Sequence, residues 1–94
     1  MFVVLLHYEK NLKTVDAHLQ AHRDHLELGY QKNYLLASGP QNPRTGGIIL
    51  SQLKEEFILD AFLREDPFVK MGIASYQIIE FTPVKYHQAI KELV

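Results

Sequence analysis

Short apolar runs alternate along this chain with longer stretches in which apolar residues return every three or four positions. "FVVLLHY", Phe2 to Tyr8, is of the first kind and reads as a buried strand. Leu12, Val15, Leu19, Leu26 and Tyr30 follow at helical spacing. They predict a first helix that Thr14 or Asp16 opens and that continues to about Lys32. "NYLLASGP", residues 33 to 40, is a second strand closed by Gly39-Pro40, "PRTGG" is a turn, and "GGIILSQL" is a third strand, near enough to pair with the second as a hairpin. "KEEFILDAFLRE", residues 54 to 65, predicts a second helix with Phe57, Ile58, Ala61 and Phe62 on one face. Ile73 to Phe81 is a fourth strand, broken by Thr82-Pro83, and "YHQAIKELV" makes a short C-terminal helix or an arm. No repeat, linker or low-complexity stretch divides residues 1 to 94, which are expected to form a single domain with residues 83 to 94 as its tail.

The order β-α-β-β-α-β predicts an α+β fold of the ferredoxin-like kind, an antiparallel sheet with two helices on one face. The strands themselves add a constraint. "FVVLL", "YLLA", "GIIL" and "YQIIEF" are almost continuously apolar, whereas a sheet with one wet face alternates. Two helices cover one face only. A second copy of the chain is the simplest cover for the other, so a homodimer packed sheet to sheet is expected; the alternative is a monomer whose strands are short enough to tolerate exposure.

Composition narrows the function classes. Apolar residues make up 47% of the chain, enough for a globular domain. Net charge is −1 with the signs interspersed, so no basic stripe offers itself to nucleic acid. There is no cysteine, hence no disulfide frame and no thiolate chemistry. The N-terminal apolar run of five residues, without a basic start, is too short for a signal peptide or a membrane span, and the expected location is cytoplasmic.

Two places carry candidate chemistry. "AHLQAHRDHLELG" puts three histidines on the first helix, and at about 100° per residue Val15, Leu19, His22 and Leu26 share one face, with His18 and His25 beside it. A histidine facing a sheet must satisfy its ring nitrogens, either by a backbone carbonyl or by a functional partner. The same spacing offers two ligands to a metal, but no third ligand and no HExxH pattern accompanies them, so no metal is expected. The second place is "REDPFVKMG". Pro67 pushes Asp66 out of the helical region, and Asp66 then either caps the next turn or aims into a pocket. Ser38 and Gly39 end the second strand, where glycine permits close backbone approach. Arg23 and Arg44 suit an anionic substrate, although each reads by default as a solvated charge. Tyr8 and Tyr76 read as core or pocket lining.

Taken in order, "AHRDHLELGYQKNYLLASGP", "GGIIL" and "EDPFVKMGIASYQIIEFTP" resemble the YciI-like (YCII-related) proteins from about Phe2 to Pro83. The resemblance implies a ferredoxin-like dimer closed as an α+β barrel. It also implies an active site built on a histidine–aspartate pair, matched here by His22 and Asp66; Ser38, Gly39 and His25, the last at a position where relatives often carry another residue, are the expected binding residues for a small-molecule substrate. Asn33 stands where relatives often have glycine, which bears on a turn rather than on the pair. One similar member is a dehydrochlorinase of a chlorinated hydroxyhydroquinone, which points to proton transfer or elimination without a cofactor. His22 is then the general base or acid and Asp66 its orienting partner. A non-catalytic ligand-binding dimer and a cofactor-free oxygenase-like barrel are the alternatives.

Overall fold

Strand β1 (Phe2–Tyr8) runs through the interior of a four-stranded antiparallel sheet of order β2-β3-β1-β4, with β2 at Leu35–Pro40, β3 at Gly46–Ser51 and β4 at Ala74–Glu80. The computed structural model describes residues 1–94. Between the strands lie α1 (Leu12–Ala17), α2 (Leu19–Gln31), α3 (Glu56–Arg64) and the short α4 (Pro67–Lys70); a 3-10 turn at Gln88–Leu93 ends the chain and buries none of its residues. This is the ferredoxin-like α+β arrangement, with the first helix in two pieces and one extra turn after the second.

The alternation of side chains along a strand sorts β1 into two sets. Phe2, Val4 and Leu6 are buried against the helices, where they share a core with Leu26, Leu35, Ile49, Leu59, Phe62 and Leu63. Val3 and Leu5 face the other way. Val3 is paired with Leu50 and Ile79, and Leu5 with Ile48. This second face is therefore an apolar patch, yet Val3, Leu5, Ile48 and Leu50 are only half-buried and Ile79 is exposed. The near-continuous apolar runs in the sequence correspond to a sheet that is apolar on both sides.

Two helices differ from what periodicity suggests. The first is not continuous from Thr14 or Asp16: Asn11 caps it, accepting from the Thr14 N–H at 2.9 Å, and it breaks at His18. There the imidazole Nδ1–H donates to the Thr14 carbonyl at 3.0 Å, while the His18 backbone N–H turns to Val15 instead. The side chain has taken the carbonyl that an unbroken helix reserves for its own backbone. Beyond the break α2 ends near Asn33, whose φ of 59° is the left-handed geometry that glycine or asparagine adopts with least strain.

The inward face of the second helix is also different. Of the expected Phe57, Ile58, Ala61 and Phe62, Phe62 is buried, together with Leu59 and Leu63, whereas Phe57 is 72% exposed and Ala61 is exposed. Both stripes are apolar and both have helical spacing, so only the packing partner separates them. β4 secures this helix through Tyr76, whose hydroxyl donates to Asp60; burial, with that carboxylate second, pushes the Tyr76 phenol above its ordinary pKa.

Close packing between α2, α3 and β2 leaves no room at Gly29. A Cβ there would lie 2.7 Å from Phe62 Cζ and 2.9 Å from Leu35 Cγ. Helix propensity favours alanine over glycine by about 1 kcal/mol, but overpacking a filled core typically costs about 1–3 kcal/mol. Gly29→Ala is expected to lower stability by about 1 kcal/mol in urea denaturation; a more stable variant would show that these elements spread apart freely.

Candidate active site

Asp66 is held at its corner by its neighbours in sequence. Its own N–H closes on the Leu63 carbonyl at 3.1 Å, and Pro67 occupies the first position of α4, with φ preset for a helix. The residue is fully buried, and both carboxylate oxygens are engaged. Oδ1 accepts the Phe68 N–H at 2.9 Å, which is the cap, and Oδ2 accepts from His22 Nδ1 at 2.7 Å. Capping and aiming inward, which the sequence leaves as alternatives, are one arrangement.

His22 reaches Asp66 from α2 and is 7% exposed. Its ring is stacked on Phe68 with centroids 4.1 Å apart and planes 4° from parallel, and Tyr8 meets Phe68 edge-on at 6.2 Å. A carboxylate only accepts, so the proton of a neutral imidazole resides on Nδ1 and the lone pair on Nε2. Nε2 has no protein partner and is not sealed off, since every buried side-chain polar atom in the protein is hydrogen-bonded.

The space beside His22 is a cavity of about 360 Å³ between α2 and the sheet. Its walls are Leu6 and Ile49 from the strands, Leu19 and Leu26 from the helix, and Phe68 from α4. Ser38 and Gly39 form part of its rim. The Ser38 hydroxyl is bonded to the Tyr30 hydroxyl at 2.6 Å, and no base stands beside it to activate it as a nucleophile. A Cβ on Gly39 would touch nothing within 4 Å, which means that glycine leaves the mouth open instead of relieving a clash. Asp16, Arg23 and Arg44 supply the charged part of the lining.

His25 does not join this group. Its Nε2–H donates to the Phe62 carbonyl at 2.7 Å and its ring stacks on Phe62 at 4.3 Å, in a separate groove with Leu28 and Phe57 on the far side of the helix layer. Three residues past His22 amounts to about 300° around the helix, and the Phe62 carbonyl, which also accepts the Glu65 N–H at the end of α3, captures the ring there. His18 is likewise occupied with Thr14. The three histidines diverge, and no group of three His, Asp or Glu side chains is close enough to hold a metal ion. Two of the lining residues are not evident from sequence: Asp16, whose residue type suits a helix opener, and Phe68, whose stacking partner lies 46 residues earlier. The apolar turn after Asp66-Pro67 was the one available signal for Phe68.

The family model of the YCII-related domain matches residues 1–82. The chain belongs to the YCII-related family. Residues 83–94, with their exposed 3-10 turn, lie beyond the match. Among solved structures this YCII-related chain is similar to the 5-chloro-2-hydroxyhydroquinone dehydrochlorinase TftG from Burkholderia phenoliruptrix AC1100, in complex with 2,5-dihydroxybenzoquinone. The TM-score is 0.70 over 87% of this chain and 94% of that one, at 18% identity, a likeness of fold. No curated protein matches the chain. No helix of the YCII-related chain is long and apolar enough to cross a membrane.

The buried pair gives a stability prediction. Asp66→Ala removes a cap, worth about 0.5–2 kcal/mol, and leaves a buried ring N–H without its acceptor, a further penalty of about 1–3 kcal/mol. A total loss of about 2–4 kcal/mol is expected for Asp66→Ala in urea denaturation. Asp66→Asn, which keeps a capping oxygen, should lose clearly less. An alanine variant as stable as the parent would show that the pair does not hold this corner.

Proposed function

We propose that this protein is a small-molecule enzyme of the lyase type, in which His22 moves a proton and Asp66 orients it. The observation that carries this reading is the asymmetry of His22: Nδ1 is tied to a fully buried carboxylate, while Nε2 has no protein partner at the wall of a cavity with both apolar and charged lining. Asp66 sets the tautomer, as an orienting carboxylate does in base-plus-orienter sites, and stabilises the imidazolium that forms. Cavity volume sets the scale of the substrate. Ligand sites run from about 300 to 1,000 Å³, and this one lies near the lower end, suited to a single ring or a small carbonyl compound.

In an elimination the substrate proton passes to Nε2. The bonding pair it leaves behind moves into the substrate framework, and the leaving group departs with its own pair. The imidazolium then returns the proton to water. Apart from acid and leaving group, nothing is gained or lost, and no oxidant is required. The activity of TftG, a dehydrochlorinase with a similar fold, agrees with chemistry of this class.

The working unit in this reading is a homodimer. Val3, Leu5, Ile48, Leu50 and Ile79 form an apolar face opposite the helices, and a second sheet packed on it would bury them. Interfaces of obligate dimers usually bury more than about 2,000 Å² in total. Light scattering at micromolar concentration should give twice the chain mass of 10.9 kDa, and a stable monomer would rule the dimer out.

Turnover can be sought among small aromatic and haloaromatic compounds, first by thermal shift and then by product detection. His22→Ala should lower kcat by about 10²- to 10⁴-fold, the usual contribution of a general acid or base. Asp66→Asn presents an N–H to Nδ1, places the ring proton on Nε2 instead, and should reduce kcat comparably. Because the two act as one unit, the double variant should be little worse than either alone. Unchanged kcat in His22→Ala would remove His22 from the chemistry, and compounds that bind without any turnover would leave a ligand-binding module, with the pair serving stability only.

A further inference from the structure

Three charged side chains line the cavity beside His22, and they are not equivalent. Arg44 Nη2 donates to Asp16 Oδ1 at 2.5 Å, and its guanidinium carbon lies 6.0 Å from the Tyr8 ring centroid. This hydrogen bond, with the nearby positive charges of Arg44 and Arg23, holds the Asp16 carboxyl below its usual range despite some desolvation. Asp16 and Arg44 thus cancel each other. Arg23 belongs to none of the ion pairs in the protein, and no side-chain acceptor takes its donors. The cavity lining therefore carries one uncompensated positive charge, on the residue next to His22 along α2.

We propose that Arg23 is the anion-recognition residue of this cavity and that the ligand is a small organic anion, bearing a carboxylate, phenolate or enolate oxygen, whose apolar body rests on Leu6, Leu26, Ile49 and Phe68. This rests on the acid–base reading above and names the substrate class for it. The guanidinium fork matches an oxyanion with paired N–H donors, which a lysine ammonium does not reproduce. The site does not need Arg23 for its own integrity, because the side chain is exposed and has no structural partner. Position adds a second consequence. An anion held by Arg23 lies on the same helix wall as Nε2, so negative charge that develops as a proton leaves the substrate forms beside a fixed cation. Arg44 is the reserve: it is already spent on Asp16.

Benzoate and its neutral isostere benzamide are the probes, titrated at millimolar concentration into the full-length protein while the His22 ring resonances are followed by NMR. The parent should bind benzoate in preference to benzamide, and added salt should weaken benzoate alone. Arg23→Gln should weaken benzoate about tenfold, the scale of one charge-assisted hydrogen bond, and leave benzamide unchanged. Arg23→Lys should restore only part of the loss. Asp16→Asn should do the opposite and tighten benzoate, because it releases Arg44, an increase that no merely structural role predicts. Equal binding of the two compounds by the parent, benzoate preference that survives in Arg23→Gln, or no binding of either probe would overturn the inference. None of these touches the acid–base reading, which stands or falls on turnover in His22→Ala.

Discussion

Asp66 has no contact with solvent, and each of its oxygens is committed: one to the Phe68 N–H, the other to His22 Nδ1. A buried carboxylate is tolerable only when it is paired and hydrogen-bonded, so its position cannot drift without leaving donors unsatisfied. This single constraint fixes where α4 begins, ties that corner to α2 across 44 residues of sequence, and sets the rotation of the imidazole. Phe68, the residue whose N–H the Asp66 carboxylate caps, also stacks on the His22 ring. Ring tautomer, ring plane and helix start are consequences of one local arrangement, and the chemically useful lone pair on Nε2 is what it leaves over.

The sheet supplies the other half of the site. On the helix side Leu6 and Ile49 are both core and cavity wall, so the pocket is a place where the core stops short instead of a cleft between separate bodies. On the opposite side an apolar face of comparable character remains half-exposed. A chain of this length buries only about two-thirds of the surface its unfolded form exposes. A dimer across that face would add burial where a small domain lacks it, and would leave the cavity, on the helix side, out of the interface.

Charge in the cavity follows the same economy. Exposed ion pairs contribute little to stability, so Arg44 and Asp16 are best understood by what they remove from the pocket: one positive and one negative charge that cancel. What remains for a ligand is Arg23 with its donors free, beside a histidine with its lone pair free. In the function proposed above, two neighbouring residues on one helix are the base and the anion site.

By itself the sequence determined the strands, the stop at Asp66-Pro67, the inward position of His22 and, through the resemblance of its segments taken in order, the family. These features are local: period, proline geometry and apolar content specify them without knowledge of a partner. It could not determine which of two apolar stripes on α3 faces inward, because Phe57–Ile58–Ala61–Phe62 and Leu59–Phe62–Leu63, which share Phe62, both satisfy the helical period and only the opposing surface distinguishes them. Nor could it show that the first helix breaks at His18, since the competing hydrogen bond to Thr14 has no periodic signature. The separation of His25 from His22 and the pairing of Arg44 with Asp16 were decided by tertiary structure for the same reason. Each depends on which acceptor comes within about 3 Å in the folded chain, and hydrogen bonds of that reach are invisible to pattern.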